Sequence, residues 1–303
     1  MNIIDLKNNA NKESDYAVAL GNFDGLHIGH SILIKDMIDE GKKRGLKNSV
    51  LIFKNYTKSV VYNKNSEMLT SNEQKFILLE DMGIDTIYMM NFDKDMMHLS
   101  PEDFVKNILV DKMRIKLVAV GFNYSFGYKA QGKGDLLAKL GNKYNFDVKI
   151  LPPVYKDGLI VSSTLIKDLI REGNISKANS FLGRPFSMAG KVIYGKRRGS
   201  SLGFPTANME RKINFVVPKN GVYETSTIVG DKEYKSLTNI GSNPTFNNNN
   251  ITIETYILNF NENIYGKEIT VNFLRYLREE KKFSTKEELI IQMHKDVNMV
   301  KSD

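Results

Sequence analysis

The chain contains no cysteine. That absence removes disulfides, thiolate zinc sites and cysteine nucleophiles from the chemistry open to it. Histidine is scarce too, with four in 303 residues, so a histidine-rich metal centre has little to draw on. No apolar run approaches the roughly 20 residues that span a bilayer. The opening stretch MNIIDLKNNANKESD lacks the charged-then-apolar pattern of a secretory signal. There is no internal repeat, and the asparagine run near residue 250 is too short to count as low complexity. A cytoplasmic enzyme or binding protein, with no membrane partner, is the expectation these absences leave.

What is present narrows it. The length suits two domains of ordinary size, each with its own core. A formal net charge of +8 favours anionic partners, either nucleic acid or small phosphorylated ligands. The basic runs GKKRG (41–45) and GKRRGSS (195–201) are short and scattered. A nucleic-acid surface calls for a longer basic stripe interleaved with aromatics. Small-molecule substrates and no nucleic acid are therefore expected, on a monomer or weak oligomer.

Strand-like runs appear at 16–20, 49–53, 85–90, 116–120 and 147–151, with helix-like stretches at 31–43, 71–82 and 100–109 between them. The last offers Ser100 as N-cap, Pro101 at the first helical position and acidic residues in the first turn. Such alternation predicts a mostly parallel sheet covered on both faces. In these sheets ligands bind beyond the carboxyl ends of the strands. After about residue 181 the pattern becomes strand upon strand with Gly-, Asn- and Pro-rich turns, closed by an amphipathic helix over 284–300. Ser284, with an acidic residue three positions later, predicts its capping box. This second half reads as a small antiparallel barrel with a carboxyl-terminal helix. FLGRPF (181–186) is the expected junction, giving domains 1–181 and 182–303.

The ten residues GNFDGLHIGH (21–30) hold two of the four histidines. Small residues after the strand let the chain pass close to a ligand. With 27–30 as the first turn of the next helix, both imidazoles share one face. There they would donate to phosphate oxygens and stabilise charge on a transferring group. Metal ligation is a rival reading, with only His98 and His294 left to complete a shell. A glycine-rich turn carrying two surface histidines is a third. Further along, GFNYSFG (121–127) is a loop at a strand's carboxyl end with three aromatics, suited to stacking on a planar ring or to packing the core. In VSSTLIKDLI (161–170), hydroxyls at a helix start can cap it or donate to an anion.

These words together resemble the nucleotidyltransferase module of the bacterial bifunctional riboflavin kinase/FAD synthetase family, part of the wider H-x-G-H group of adenylyltransferases. GNFDGLHIGH is similar to its first signature, GFNYSFG to its second, and VSSTLIKDLI to its Ser-Ser-Thr-x-Ile-Arg element. The resemblance implies catalytic roles for His27 and His30. It implies nucleotide or flavin binding by Gly21, Asn22, Phe23, Asp24, Asn123, Ser163, Thr164 and Lys167. Leu165 replaces a usual basic residue, and Lys167 stands where relatives commonly carry Arg. Lysine keeps the charge but lacks the planar fork. After the strand 49–53, IFKNYTKSV (52–60) lacks the Pro- and His-containing stretch of many members.

GKRRGSSLGFPTANME (195–210) is the second distinctive word. Thr206 and Asn208, two residues apart on an extended segment, face one way. Both carry hard oxygen donors of the kind Mg2+ takes. The stretch resembles the flavokinase signature of the same family, which implies that Thr206 and Asn208 hold the Mg2+–nucleotide and that Gly199 lies against it. Ser200 replaces a residue that is often Arg. NIGSNPTF (239–246) and TIETYILNF (252–260) resemble the next two elements, with Glu254 at the catalytic glutamate. Alone, a glutamate in an alternating strand reads as a solvated side chain. YGKEITVNFLRYLREEKKFSTKEEL (265–289) resembles the carboxyl-terminal stretch and implies flavin or nucleotide binding by Arg278.

The implied fold is α/β plus β: a Rossmann-like nucleotidyltransferase domain with a parallel sheet, then a small antiparallel flavokinase-like β-barrel with a carboxyl-terminal helix. The implied activity is phosphorylation of riboflavin by ATP to FMN, then adenylylation of FMN to FAD and pyrophosphate. A chain retaining one of the two activities, or a flavin-binding regulator, is the alternative.

Overall fold

Every residue of β2 (Tyr16–Leu20) is buried, the signature of a central strand covered on both faces. It is flanked by β3 (Lys47–Phe53) and β5 (Ile115–Gly121), and both pairings are parallel. With β1 (Asn2–Asp5), β4 (Thr86–Met90) and β6 (Asp147–Leu151) they complete a six-stranded sheet ordered β1-β4-β3-β2-β5-β6. The chain runs from β2 through α1 (Ile28–Lys43) outward to β3 and β4, then returns to β5 on the other side of β2. The order therefore reverses between β2 and β5, and the crevice beyond their carboxyl ends is where such a sheet binds a ligand. The computed structural model describes residues 1–7, 14–55, 57, 66–195, 199, 202–211, 213–245 and 248–301, the side chains of 242–250 excepted. The basic residues 196–198, Ser200, and residues 56 and 58–60 of the 52–60 stretch lie outside the described residues.

One face of this sheet packs α1 through Leu33, Ile34, Met37 and Ile38, together with Leu79 of α2 (Asn72–Asp81). Gly41 lets α1 lie close, because a Cβ there would stand 2.7 Å from Asn48 Oδ1. On the other face, Phe104, Val105 and Leu109 pack beneath Val118 and Val120. Ser100 caps that segment as expected, accepting from Asp103 N at 3.0 Å with Pro101 in the first turn. The predicted helix is nonetheless π-helical over Phe104–Val110. The sequence reading did not include β1, a short edge strand paired with β4.

By contacts the chain forms two compact units, Met1–Ser66 with Thr70–Ser162, and Glu67–Leu69 with Ser163–Asp303. The helices α3 (Ser163–Arg171) and α4 (Ile175–Leu182) thus group with the barrel. Asn179 is one tie: its Nδ2 donates to Phe273 O at 2.8 Å, and its Oδ1 accepts from Phe186 N at 2.7 Å. Met68 joins the same unit through backbone bonds to Asn214 and Val216, both 2.9 Å.

The barrel closes through β7 (Phe186–Ile193), β8 (Ala207–Glu210), β11 (Asn248–Ile257), β10 (Lys232–Thr245), β9 (Gly221–Val229) and β12 (Glu268–Arg278), in that order and all antiparallel. Its interior holds Met188, Val271, Phe273 and Ile253, but also a chain of buried hydroxyls. Thr255, Thr238, Thr225, Ser236 and Thr227 bond in sequence at 2.8–2.9 Å. Outside, α5 (Lys286–Lys301) sets Val297 and Val300 on Val222, Leu237 and Leu258. Its cap falls one residue later than the sequence spacing suggests. Thr285 Oγ1 accepts from Glu288 N at 3.2 Å, and Glu288 Oε2 accepts from Ser284 N at 3.0 Å. Both Ser284 and Thr285 offer a hydroxyl with an acidic residue three positions on, so spacing alone could not choose between them.

Candidate active sites

At the carboxyl end of β2 the backbone is forced into an uncommon path. Phe23 and Leu26 have φ of 47° and 40°, and Gly25 has 85°. Non-glycine residues in that region cost about 1–3 kcal/mol each and persist only where packing over-determines them. Here Phe23, Asp24 and Leu26 are all fully buried, and Gly25 N donates to Thr70 Oγ1 at 2.8 Å. The turn delivers the chain to His27, which caps α1 with extended backbone geometry. His27 Nδ1 accepts from His30 N at 3.3 Å. That bond leaves the proton of a neutral His27 on Nε2, where it is a donor. The two rings lie face to face, centroids 3.7 Å apart and 12° from parallel. Phe23 meets His30 edge-on at 5.3 Å. A Cβ on Gly29 would press on the His27 ring at 3.3 Å, so the glycine between the histidines clears room for the stack.

The expectation that both imidazoles share the first turn thus holds. They stand beside the amide end of α1, where the helix dipole also favours an anion. Gly21 and Asn22 precede them, and Thr57 Oγ1 donates to Asn22 Oδ1 at 3.0 Å. The neighbouring loop comes from β5, whose Val120 pairs with Leu20 of β2. Asn123 is exposed on that loop. Its three aromatics divide: Phe126 and Tyr124 pack into the core, while Phe122 is 48% exposed. Burial pushes the Tyr124 phenol well above its ordinary range. Sequence reasoning missed Thr57 and Thr70, because neither stands at a recognisable spacing from the histidine word.

Ser163 and Thr164 open α3 in the other unit, Thr164 exposed and Ser163 half-buried. Lys167 is buried, and its Nζ donates to Glu67 O at 2.7 Å. The site residues of the first constellation therefore fall in both units.

The barrel site is organised by register. Asn208 lies directly opposite Glu254, and Glu254 opposite Asn239. Asn239 pairs in turn with Val222, and Val222 with Arg278. Opposed residues of antiparallel strands share a face, with Cβ atoms about 4.5–5.5 Å apart. This row runs along the outside of the barrel, since the adjacent Ala207, Ile253 and Thr255 are the buried ones. Two glycines of the stretch before Thr206 lie against described residues of this row and its neighbours. A Cβ on Gly195 would collide with the Asn208 amide; a Cβ on Gly199 would collide with the Phe204 carbonyl and stand 3.5 Å from Thr206 Oγ1. Such a cradle, beside two hard oxygen donors, fits a divalent cation with phosphate. Among the described residues no group of three or more His, Asp or Glu could hold a metal. Arg278 has its own partner: Nε and Nη2 reach the Asp296 carboxylate at 2.9 and 2.6 Å, joining β12 to α5.

A histidine stack at a parallel-sheet switch point, with a separate carboxylate-and-amide row on a barrel, defines a two-module nucleotide-dependent transferase. The model of the FAD synthetase family matches residues 9–165, and that of the riboflavin kinase family matches residues 182–302. The bifunctional riboflavin kinase/FMN adenylyltransferase of Listeria monocytogenes is 37% identical over 92% of this chain and 89% of its own. The protein of that description from Buchnera aphidicola of Schizaphis graminum is 36% identical over 95% and 94%. That of Escherichia coli K12 is 32% identical over 92% and 90%. A solved Streptococcus pneumoniae structure described as a macrolide-efflux protein has 27% identity and a TM-score of 0.90 across 99% of both chains. Among the described residues no helix is long and apolar enough to cross a membrane. The chain belongs to the bifunctional riboflavin kinase/FMN adenylyltransferase family.

Proposed function

We propose that the two sites act in succession, the barrel making FMN and the parallel-sheet unit making FAD from it. In the first reaction Glu254 accepts the proton of the terminal ribityl hydroxyl as its oxygen attacks the γ-phosphorus of ATP, and ADP leaves. Thr206 and Asn208 would hold Mg2+, with Gly199 against the nucleotide. When bound, the ion neutralises phosphate charge. Arg278 contributes to the flavin or nucleotide pocket while held by Asp296. In the second reaction the FMN phosphate attacks the α-phosphorus of a second ATP, and pyrophosphate leaves. No protein nucleophile is required, because the FMN phosphate already is one. His27 and His30 donate to the transferring group, steadied by their mutual stack. Gly21, Asn22, Phe23, Asp24 and Asn123 shape the nucleotide or flavin pocket, and Ser163, Thr164 and Lys167 contribute to nucleotide binding.

The observation that supports the reading most strongly is the register that sets Asn208 against Glu254, two residues far apart in sequence. The protein acts as a cytoplasmic monomer or weak oligomer on small molecules, without nucleic acid. Incubating the purified chain with riboflavin, ATP and Mg2+ and separating the flavins tests the proposal. FMN followed by FAD is expected. FMN without FAD leaves only the kinase half, and no product at all removes both.

A further inference from the structure

Asn239 is the neighbour of Glu254 in the barrel row, on the side away from Asn208. Its Nδ2 donates to Glu280 Oε1 at 3.3 Å. Glu280 is held close to β10: a Cβ on Gly241 would stand 2.6 Å from that same carboxylate oxygen. A carboxylate only accepts hydrogen bonds, so the half of the Asn239 amide facing it must be the NH2 group. The orientation of the amide is thereby fixed, and Oδ1 is turned away from Glu280 as an acceptor.

An acceptor beside a general base has a defined use when the substrate is a polyol. Glu254 takes the proton of the hydroxyl that is phosphorylated. An acceptor at the spacing of a cross-strand pair meets the hydroxyl on the adjoining carbon. We propose that Asn239, oriented by Glu280, accepts a hydrogen bond from the hydroxyl next to the one phosphorylated, and so makes the barrel select for a vicinal diol. This rests on the kinase reading of the barrel. Asn239 would be a specificity-determining residue, and Glu280 a positioning residue acting through it.

A site built to hydrogen-bond a substrate hydroxyl discriminates against the analogue that lacks it, so the test is a substrate lacking that hydroxyl. FMN-type product would be measured from riboflavin and from 4′-deoxyriboflavin. The wild type should prefer riboflavin by at least tenfold in kcat/KM. In Asn239→Leu the riboflavin KM should rise about tenfold with kcat within about twofold, and the preference should vanish. Glu280→Ala should lose much of the preference. Glu280→Gln, which keeps an acceptor oxygen, should restore it. FAD formation from supplied FMN reports that each variant is folded. Retention of the preference in Asn239→Leu, or a fall in kcat at constant KM, would overturn the inference. A wild type that makes no FMN from riboflavin would instead remove the kinase reading beneath it.

Discussion

The parallel-sheet unit hangs the side chains proposed to act in it on a strained turn, whereas the barrel stands its own in a row on paired strands. In the first, His27 and His30 depend on a backbone path through Phe23, Gly25 and Leu26 that burial, the Thr70 bond and the bond from Leu26 N to Phe23 O help sustain. In the second, Asn208, Glu254 and Asn239 depend on ladder register, and a slip of one residue would turn Glu254 inward and Thr255 outward. The interior hydroxyl chain across β9, β10 and β11 opposes such a slip. A loop site concentrates its sensitivity in a few bonds, while a register site spreads it over many.

The largest expected effects separate the two halves. Glu254→Gln should lower FMN formation by roughly 10²–10⁴, and His30→Ala should lower FAD formation by roughly 10²–10³. Each should leave the other reaction within about twofold, read as initial rates with riboflavin or FMN supplied. Next comes Gly195→Ala, whose methyl must displace the Asn208 amide. Misplacing such a group by about 1 Å can cost on the order of 10²-fold, so FMN formation should fall to that extent with FAD formation intact.

A matched pair sharpens the contrast. Thr70→Val and Thr238→Val each remove a buried hydroxyl partner, worth about 1–3 kcal/mol. In the loop the loss should appear as a roughly tenfold lower kcat/KM for FAD formation, by the factor of ten per 1.4 kcal/mol. In the barrel it should appear as a Tm lower by roughly 2–8 °C, with FMN kinetics within twofold. Equal kinetic losses in both would erase the distinction. Smallest of all, Thr285→Ala should destabilise α5 by about 1 kcal/mol while Ser284→Ala changes little, measured by denaturant midpoint.

Much of this was legible in the sequence because local chemistry and global fold agree. YAVAL announces a fully buried strand, and Ser100-Pro101 announces a helix start. The histidine word and the Thr206/Asn208 word could be singled out for the same reason: each proposed site is partly contiguous. What stayed hidden is what arises between distant segments. Thr70 reaches Gly25 across 45 positions, and the Asn239–Glu280 bond spans 41. Arg278 shows the same limit, since nothing in its neighbourhood announces Asp296. Lys167, which the resemblance puts among the nucleotide-binding residues, bonds through its ammonium to the Glu67 carbonyl, a partner 100 positions away that its own neighbourhood does not announce.

The central claim is that one chain carries two chemically independent centres, and complementation tests it most directly. His30→Ala and Glu254→Gln proteins, each unable to carry riboflavin to FAD alone, are mixed and supplied with riboflavin, ATP and Mg2+. FAD should accumulate in the mixture, with the first variant feeding FMN to the second. A mixture that makes no more FAD than either protein alone would contradict the account.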